Sequence, residues 1–109
     1  MGEVQDAALL AIASPHRREI LRLVWDEERS SSDIAARFQI TWPAVSQNLA
    51  VLRKAGLIRQ RREGTRLYYR ADRVQLAPLR AVITAMWAAD LDRLAALAEA
   101  DERSDSTDA

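Results

Sequence analysis

Ser46 and Gln47 lie side by side in the stretch TWPAVSQNLAVLRKAGLI, and both carry groups that donate and accept hydrogen bonds. A hydroxyl can serve a base edge or a phosphate, and a primary amide can pair with adenine through two bonds. Ala44, a little earlier, offers a methyl small enough to meet that of thymine. A basic stretch follows at once. From Arg53 to Arg73 there are eight basic residues (Arg53, Lys54, Arg59, Arg61, Arg62, Arg66, Arg70 and Arg73) against two acids, Glu63 and Asp72, although the whole chain balances sixteen against sixteen. Clustered cations neutralise phosphates and release counterions, which supplies most sequence-independent affinity for DNA. A charge run can also simply guard exposed strand edges. Its position directly behind a helix that presents Ser46 and Gln47 favours nucleic acid.

The local pattern shows what would hold these side chains. Thr41 is an N-cap and Pro43 falls in the first turn, where a missing N–H costs nothing. Val45, Leu49 and Leu52 recur at i, i+4 and i+7, so one stripe packs while Ala44, Gln47, Ala50, Val51 and Lys54 lie on other faces. Gly56 ends the helix, and a Glu63-Gly64 turn signal then separates two strand-like runs. Upstream, residues Val4 to Ala13 form a short amphipathic helix that must dock to persist. Ser14 and Pro15 start a second helix, with Ile20, Leu23 and Val24 inward and Arg17, Arg18 and Arg22 outward. Ser30 with Asp33 resembles a capping box opening a third, whose apolar face is Ile34, Ala35 and Phe38. The turn Gln39 to Thr41 gives helix-turn-helix spacing.

Beyond the hairpin, Asp72 can cap a turn leading to a long helix from about Ala77 to Glu99, with Pro78 in its first turn. Leu79, Val82, Ile83, Met86, Trp87, Leu91, Leu94 and Leu97 cover more than one of its faces. A monomer of this size covers one face, so a second copy is expected on the other, setting paired reading helices on an inverted repeat in double-stranded DNA. Residues 1–100 are expected to form one domain and the acidic segment 101–109, DERSDSTDA, to be disordered.

Composition bounds the alternatives. A chain of 109 residues with 49% hydrophobic content is the size of one domain with a modest core. It has no long apolar run and no charged-then-apolar leader, so no membrane association and a cytoplasmic location are expected. Without cysteine it has no disulfide or thiol redox chemistry, and one histidine with scattered carboxylates is a poor basis for an enzyme. The neutral total charge argues against a histone-like coat and for a local patch.

Three segments, ASPHRREILRLV, SSSDIAARFQITWPAVSQNLAVLRKAGLI and RREGTRLYYRAD, resemble in order and spacing the ArsR family of bacterial winged helix-turn-helix repressors, over about Ala11 to Ala98. The resemblance implies a mainly α fold, α-α-α-α-β-β-α, with a two-stranded wing and a dimer through the first and last helices. It carries DNA contacts onto Trp42, Pro43, Ser46 and Gln47, beside Ala44, Lys54 and the wing residues Arg62, Thr65 and Arg66; Asn48 lies nearer the packed side. Trp42 departs from the small polar residue usual there, and its indole can instead cover the junction with the preceding helix. The implied dimer face comprises Leu9, Ile12, Leu79, Ile83, Met86, Trp87, Leu91 and Leu94. Many members sense metals through a Cys-x-Cys and aspartate on the third helix, where this chain has Ser30, Ser31, Ser32 and Asp33, and serine is a poor soft-metal ligand. The last helix offers Asp90 and Asp92 without histidine, and His16 starts the second helix, so neither metal nor cofactor is expected. An unidentified small-molecule inducer near Trp25 or Trp87 stays open beside the simpler expectation of concentration-dependent repression of its own operon. A rival from another class is a winged-helix module whose basic wing binds an acidic protein without reading bases.

Overall fold

A computed structural model of the chain describes the backbone of residues 2–107 and the side chains of residues 6–101. Its elements run α1 (Gly2–Ile12), α2 (Pro15–Leu23), β1 (Arg29–Ser30), α3 (Ser31–Ala36), α4 (Trp42–Lys54), β2 (Ile58–Glu63), β3 (Arg66–Ala71), α5 (Arg73–Leu76), a 3-10 turn (Ala77–Leu79) and α6 (Arg80–Thr107). Two compact units are described, one ending at Pro78 and the other beginning at Leu79.

In the first unit, capping decides where each helix begins. Ser14 accepts a bond from the Arg17 amide, Ser30 from Asp33 and Thr41 from Ala44, so each N-terminus has a donor satisfied by the residue the sequence supplies. Only half of the expected capping box forms at α3, because the Asp33 carboxylate turns to Arg29 at 2.9 Å and Arg37 at 3.7 Å. Aspartate is too short to reach back comfortably, and two cations stand beside it.

The corner between α1 and α2 corrects one expectation. Arg18 is buried, 8% exposed, and donates to the Ile12 and Ala13 carbonyls at 2.9 and 3.0 Å. Arg17 bonds the Leu10 and Ala11 carbonyls and, through Nη1, Asn48 Oδ1 of α4 at 3.3 Å. Both arginines satisfy carbonyls left open at the end of a helix, where positive charge is also favoured by the dipole. Leu21 rather than Leu23 completes the buried stripe with Ile20 and Val24, while Leu23 is half-buried. The core around α4 consists of Ile34, Val45, Leu49, Leu52, Leu57 and Ile58, each enclosed. Burying one such side chain is worth about 1.5–3 kcal/mol.

The sheet has three strands in the order β1-β3-β2, all antiparallel. The two-residue β1 was not anticipated, since Arg29 and Ser30 carry no alternating apolar signal. It forms because Arg29 and Ser30 pair with Tyr69 and Tyr68 across the edge. The Asp72 N–H to Leu57 O bond extends the β2–β3 ladder by one rung, and the Ala71 N–H to Val24 O bond ties the hairpin base to the end of α2, each at 2.9 Å.

The chain after the hairpin also differs from expectation. Asp72 caps the single turn α5, and Pro78 lies in the 3-10 turn ahead of α6 instead of within its first turn. Proline offers no N–H for a helical ladder, so the regular helix restarts beyond it. Within the second unit, Leu79 and Ile83 are buried, Met86 and Trp87 half-buried, and Val82, Leu91, Leu94 and Leu97 exposed. The backbone of α6 is helical to Thr107, where disorder is expected from 101 onward; residues 108–109 and the side chains from 102 lie outside the described residues. No described helix is long and apolar enough to cross a membrane.

Candidate nucleic-acid interface

Helix α4 is fixed at both ends. At its C-terminus Gly56 adopts φ +79°, and the amides of Gly56 and Leu57 bond the carbonyls of Arg53 and Leu52 at 3.0 Å each. This paired closure turns the chain sharply from α4 into β2 and needs a positive φ that only glycine adopts cheaply. With Val45, Leu49 and Leu52 inward, Pro43, Gln47, Ala50 and Lys54 line up at helical spacing on the opposite, solvent-exposed face. Ser46, Ala50 and Arg53 form the neighbouring stripe and line a groove of about 200 Å³ against Gln60, Leu67 and Tyr69 of the wing. Among the described residues, no side-chain hydrogen bond or ion pair occupies Ser46, Gln47 or Lys54. Ala44 is half-buried. Trp42 is 52% exposed and lines a separate groove beside α3 with Ser32, Ala35, Ala36 and Ile40.

Strand alternation sorts the wing. Ile58, Gln60 and Arg62 pair with Ala71, Tyr69 and Leu67 on the face turned to α4; Arg59, Arg61 and Glu63 pair with Arg70, Tyr68 and Arg66 on the other. Tyr69 is buried and Leu67 half-buried. Burial pushes the Tyr69 phenol upward from its ordinary pKa, against the nearby Arg53 charge. Gly64, at φ +62°, and Thr65 make the tip between Arg62 and Arg66.

The basic stretch is less free than its composition suggests. Arg59 pairs with Asp72 at 3.0 Å, Arg73 with Asp26 at 3.4 Å, and Arg61 with Glu28 at 2.6 Å and Glu63 at 2.8 Å. Arg70 donates to the Asp26 carbonyl and Arg53 to the Gln60 amide oxygen. Hydrogen bonding to Arg61 holds the Glu28 carboxyl below its ordinary pKa, and bonding to Glu28 and Glu63 raises the Arg61 guanidinium. Asp26 and Glu28 stand far from the wing in sequence, so a local count misses them. Lys54, Arg62 and Arg66 keep exposed cations without a described partner.

At α3 the Ser30 hydroxyl is taken by its capping bond, and hydrogen bonding from Arg29 holds the Asp33 carboxyl below its ordinary pKa. Among the described residues no three histidine or carboxylate side chains gather as a metal set. Of the expected dimer residues, Leu9, Leu91 and Leu94 are exposed and Met86 and Trp87 half-buried, while Ile12, Leu79 and Ile83 have almost no surface; Leu10 was not singled out and is 71% exposed.

Helices α3 and α4 joined by a short turn, with a hairpin behind them, are a winged helix-turn-helix. Residues 14–60 match the family described as bacterial regulatory protein, arsR family. The chain is 39% identical to the transcriptional repressor SdpR of Bacillus subtilis (strain 168) over 59 residues, 54% of this chain and 66% of SdpR. It is 33% identical to the HTH-type transcriptional regulator Rv2034 of Mycobacterium tuberculosis over 96 residues, 88% of this chain and 90% of that protein. It spans only 56% and 59% of two further relatives, one of them a transcriptional activator. The solution structure of the homodimeric winged helix-turn-helix DNA-binding domain of Mb0332 from Mycobacterium bovis aligns with TM-score 0.68 and 33% identity, covering 77% of this chain and 78% of that one. The chain belongs to the ArsR family of bacterial regulatory proteins.

Proposed function

We propose that the protein is a sequence-specific, double-stranded DNA-binding transcriptional regulator, acting in the cytoplasm as a homodimer that represses its own operon from an inverted repeat. The observation that carries this is the exposed, unoccupied polar face of α4, with Gln47 outward and Ser46 beside the wing groove. Gln47 and Ser46 read base edges, Ala44 and Pro43 supply apolar contact, and Trp42 braces the start of the helix against α3. Lys54, Arg62 and Arg66, with Thr65 at the tip, hold phosphates. Leu9 and Leu10 on α1, and separately Leu91, Leu94 and Leu97 on α6, supply exposed apolar side chains for a second copy, whereas Ile12, Leu79 and Ile83 are buried within each chain. The homodimeric state of Mb0332 supports the pairing, and the repressor SdpR supports the sign of the effect.

Anisotropy titration on the protein's own upstream region, against scrambled duplex, tests this. A preference of about 10³-fold and a log-log salt slope near −5 for a dimer with three phosphate contacts per protomer are expected. Equal affinity for both duplexes would overturn base reading and favour a basic wing used on an acidic protein. A promoter fusion whose output rises with the protein would overturn repression.

A further inference from the structure

We propose that Glu28 limits sequence-independent affinity by clasping Arg61 across the sheet, removing that guanidinium from the charge offered to DNA and leaving the grip to the wing tip. The inference rests on the DNA-binding function proposed above and names the regulation of that same surface. Arg61 on β2 lies opposite Tyr68 on β3, which lies opposite Ser30 on β1, two residues beyond Glu28. The Arg61 guanidinium sits 4.7 Å over the Tyr68 ring and reaches both Glu28 carboxylate oxygens, with Nη2 at 2.6 Å and Nε at 3.0 Å to separate oxygens. Its other terminal nitrogen meets Glu63 at 2.8 Å. A single arginine thus spans the three strands, held by a two-point carboxylate bond and an aromatic face.

A single exposed ion pair does little for stability. A bidentate bond on a stacked guanidinium is better defined geometrically, because the planar fork is already oriented by the ring. The electrostatic consequence is larger than the mechanical one. Non-specific affinity follows the number of phosphates neutralised, whereas discrimination follows base contacts. Cancelling Arg61 lowers binding to every duplex without touching Ser46 or Gln47, so the tip arginines Arg62 and Arg66 supply the grip and the base-reading residues keep their discrimination. Arg59 with Asp72 and Arg73 with Asp26 also pair, each through a single contact, at the hairpin base.

The test is salt-dependent anisotropy of the full chain on random duplex and on the upstream region. Glu28→Gln is expected to tighten binding to random duplex and to the upstream region alike, roughly five-fold per protomer at 0.15 M salt, steepen the slope by about 0.9 per protomer, and leave the operator preference unchanged. The double variant Glu28→Gln with Arg61→Ala is expected to return affinity and slope to those of the unmodified protein. An unchanged Glu28→Gln, or a double variant weaker than the unmodified protein with a shallower slope, would overturn the clasp, the second by showing that Arg61 already holds a phosphate. Failure of the unmodified protein to prefer its upstream region would instead overturn base reading, while the clasp would still be judged on random duplex. Failure to bind any duplex would overturn both.

Discussion

The outward face of α4 and the outer face of the wing are both polar and exposed, yet they are organised in opposite ways. On α4, Gln47 and Lys54 have no described partner within the protein. On the wing, Arg59 and Arg61 are already engaged by the protein's own carboxylates, as is Arg73 just beyond it. The difference teaches that cations counted along a sequence are not cations available to a ligand. The folded chain brings Asp26 and Glu28 to the hairpin, and a formal excess of basic charge shrinks to a few free groups near its tip and at the end of α4.

The most damaging way to break this contrast is to remove the support that α4 depends on. Leu52→Ala, at a fully buried position, is expected to cost about 2–5 kcal/mol, read as a lower urea midpoint with an unchanged denaturant slope. Next, Gln47→Ala should reduce discrimination between operator and random duplex by about 1–3 kcal/mol, while Arg66→Ala weakens both equally and flattens the salt slope by about 0.9 per protomer. Matching effects from these two variants would erase the distinction between reading and gripping. Thr41→Ala removes the cap that accepts the Ala44 amide and should cost about 1 kcal/mol in thermal unfolding. Arg59→Ala, smallest of all, should leave the salt slope unaltered, since its carboxylate partner Asp72 already answers its charge. A slope flattened as much as by Arg66→Ala would show that the internal pairing yields to phosphate.

Much of the fold could be read in the sequence because local chemistry and packing agree there. Thr41, Pro43 and Gly56 bound α4, and Val45, Leu49 and Leu52 face inward as their spacing requires. The hairpin and its Gly64 turn follow from equally local signals. What escaped depends on partners distant in the chain. The strand β1 exists only through pairing with Tyr68 and Tyr69, and Arg18 is buried only because the end of α1 presents open carbonyls to it. The Glu28–Arg61 pair joins residues 33 positions apart, and nothing in the spacing of either marks it. Proline is tolerated in a first turn, so the local pattern places Pro78 in the long helix, but the chain uses it one element earlier.

Arg17 links three places at once: the last carbonyls of α1, its own position on α2, and Asn48 halfway along α4. The first helix is therefore tied through one arginine to the helix proposed to read DNA. Displacing α1 is expected to disturb α4 through this contact, so whatever docks on α1 also bears on how α4 is aimed.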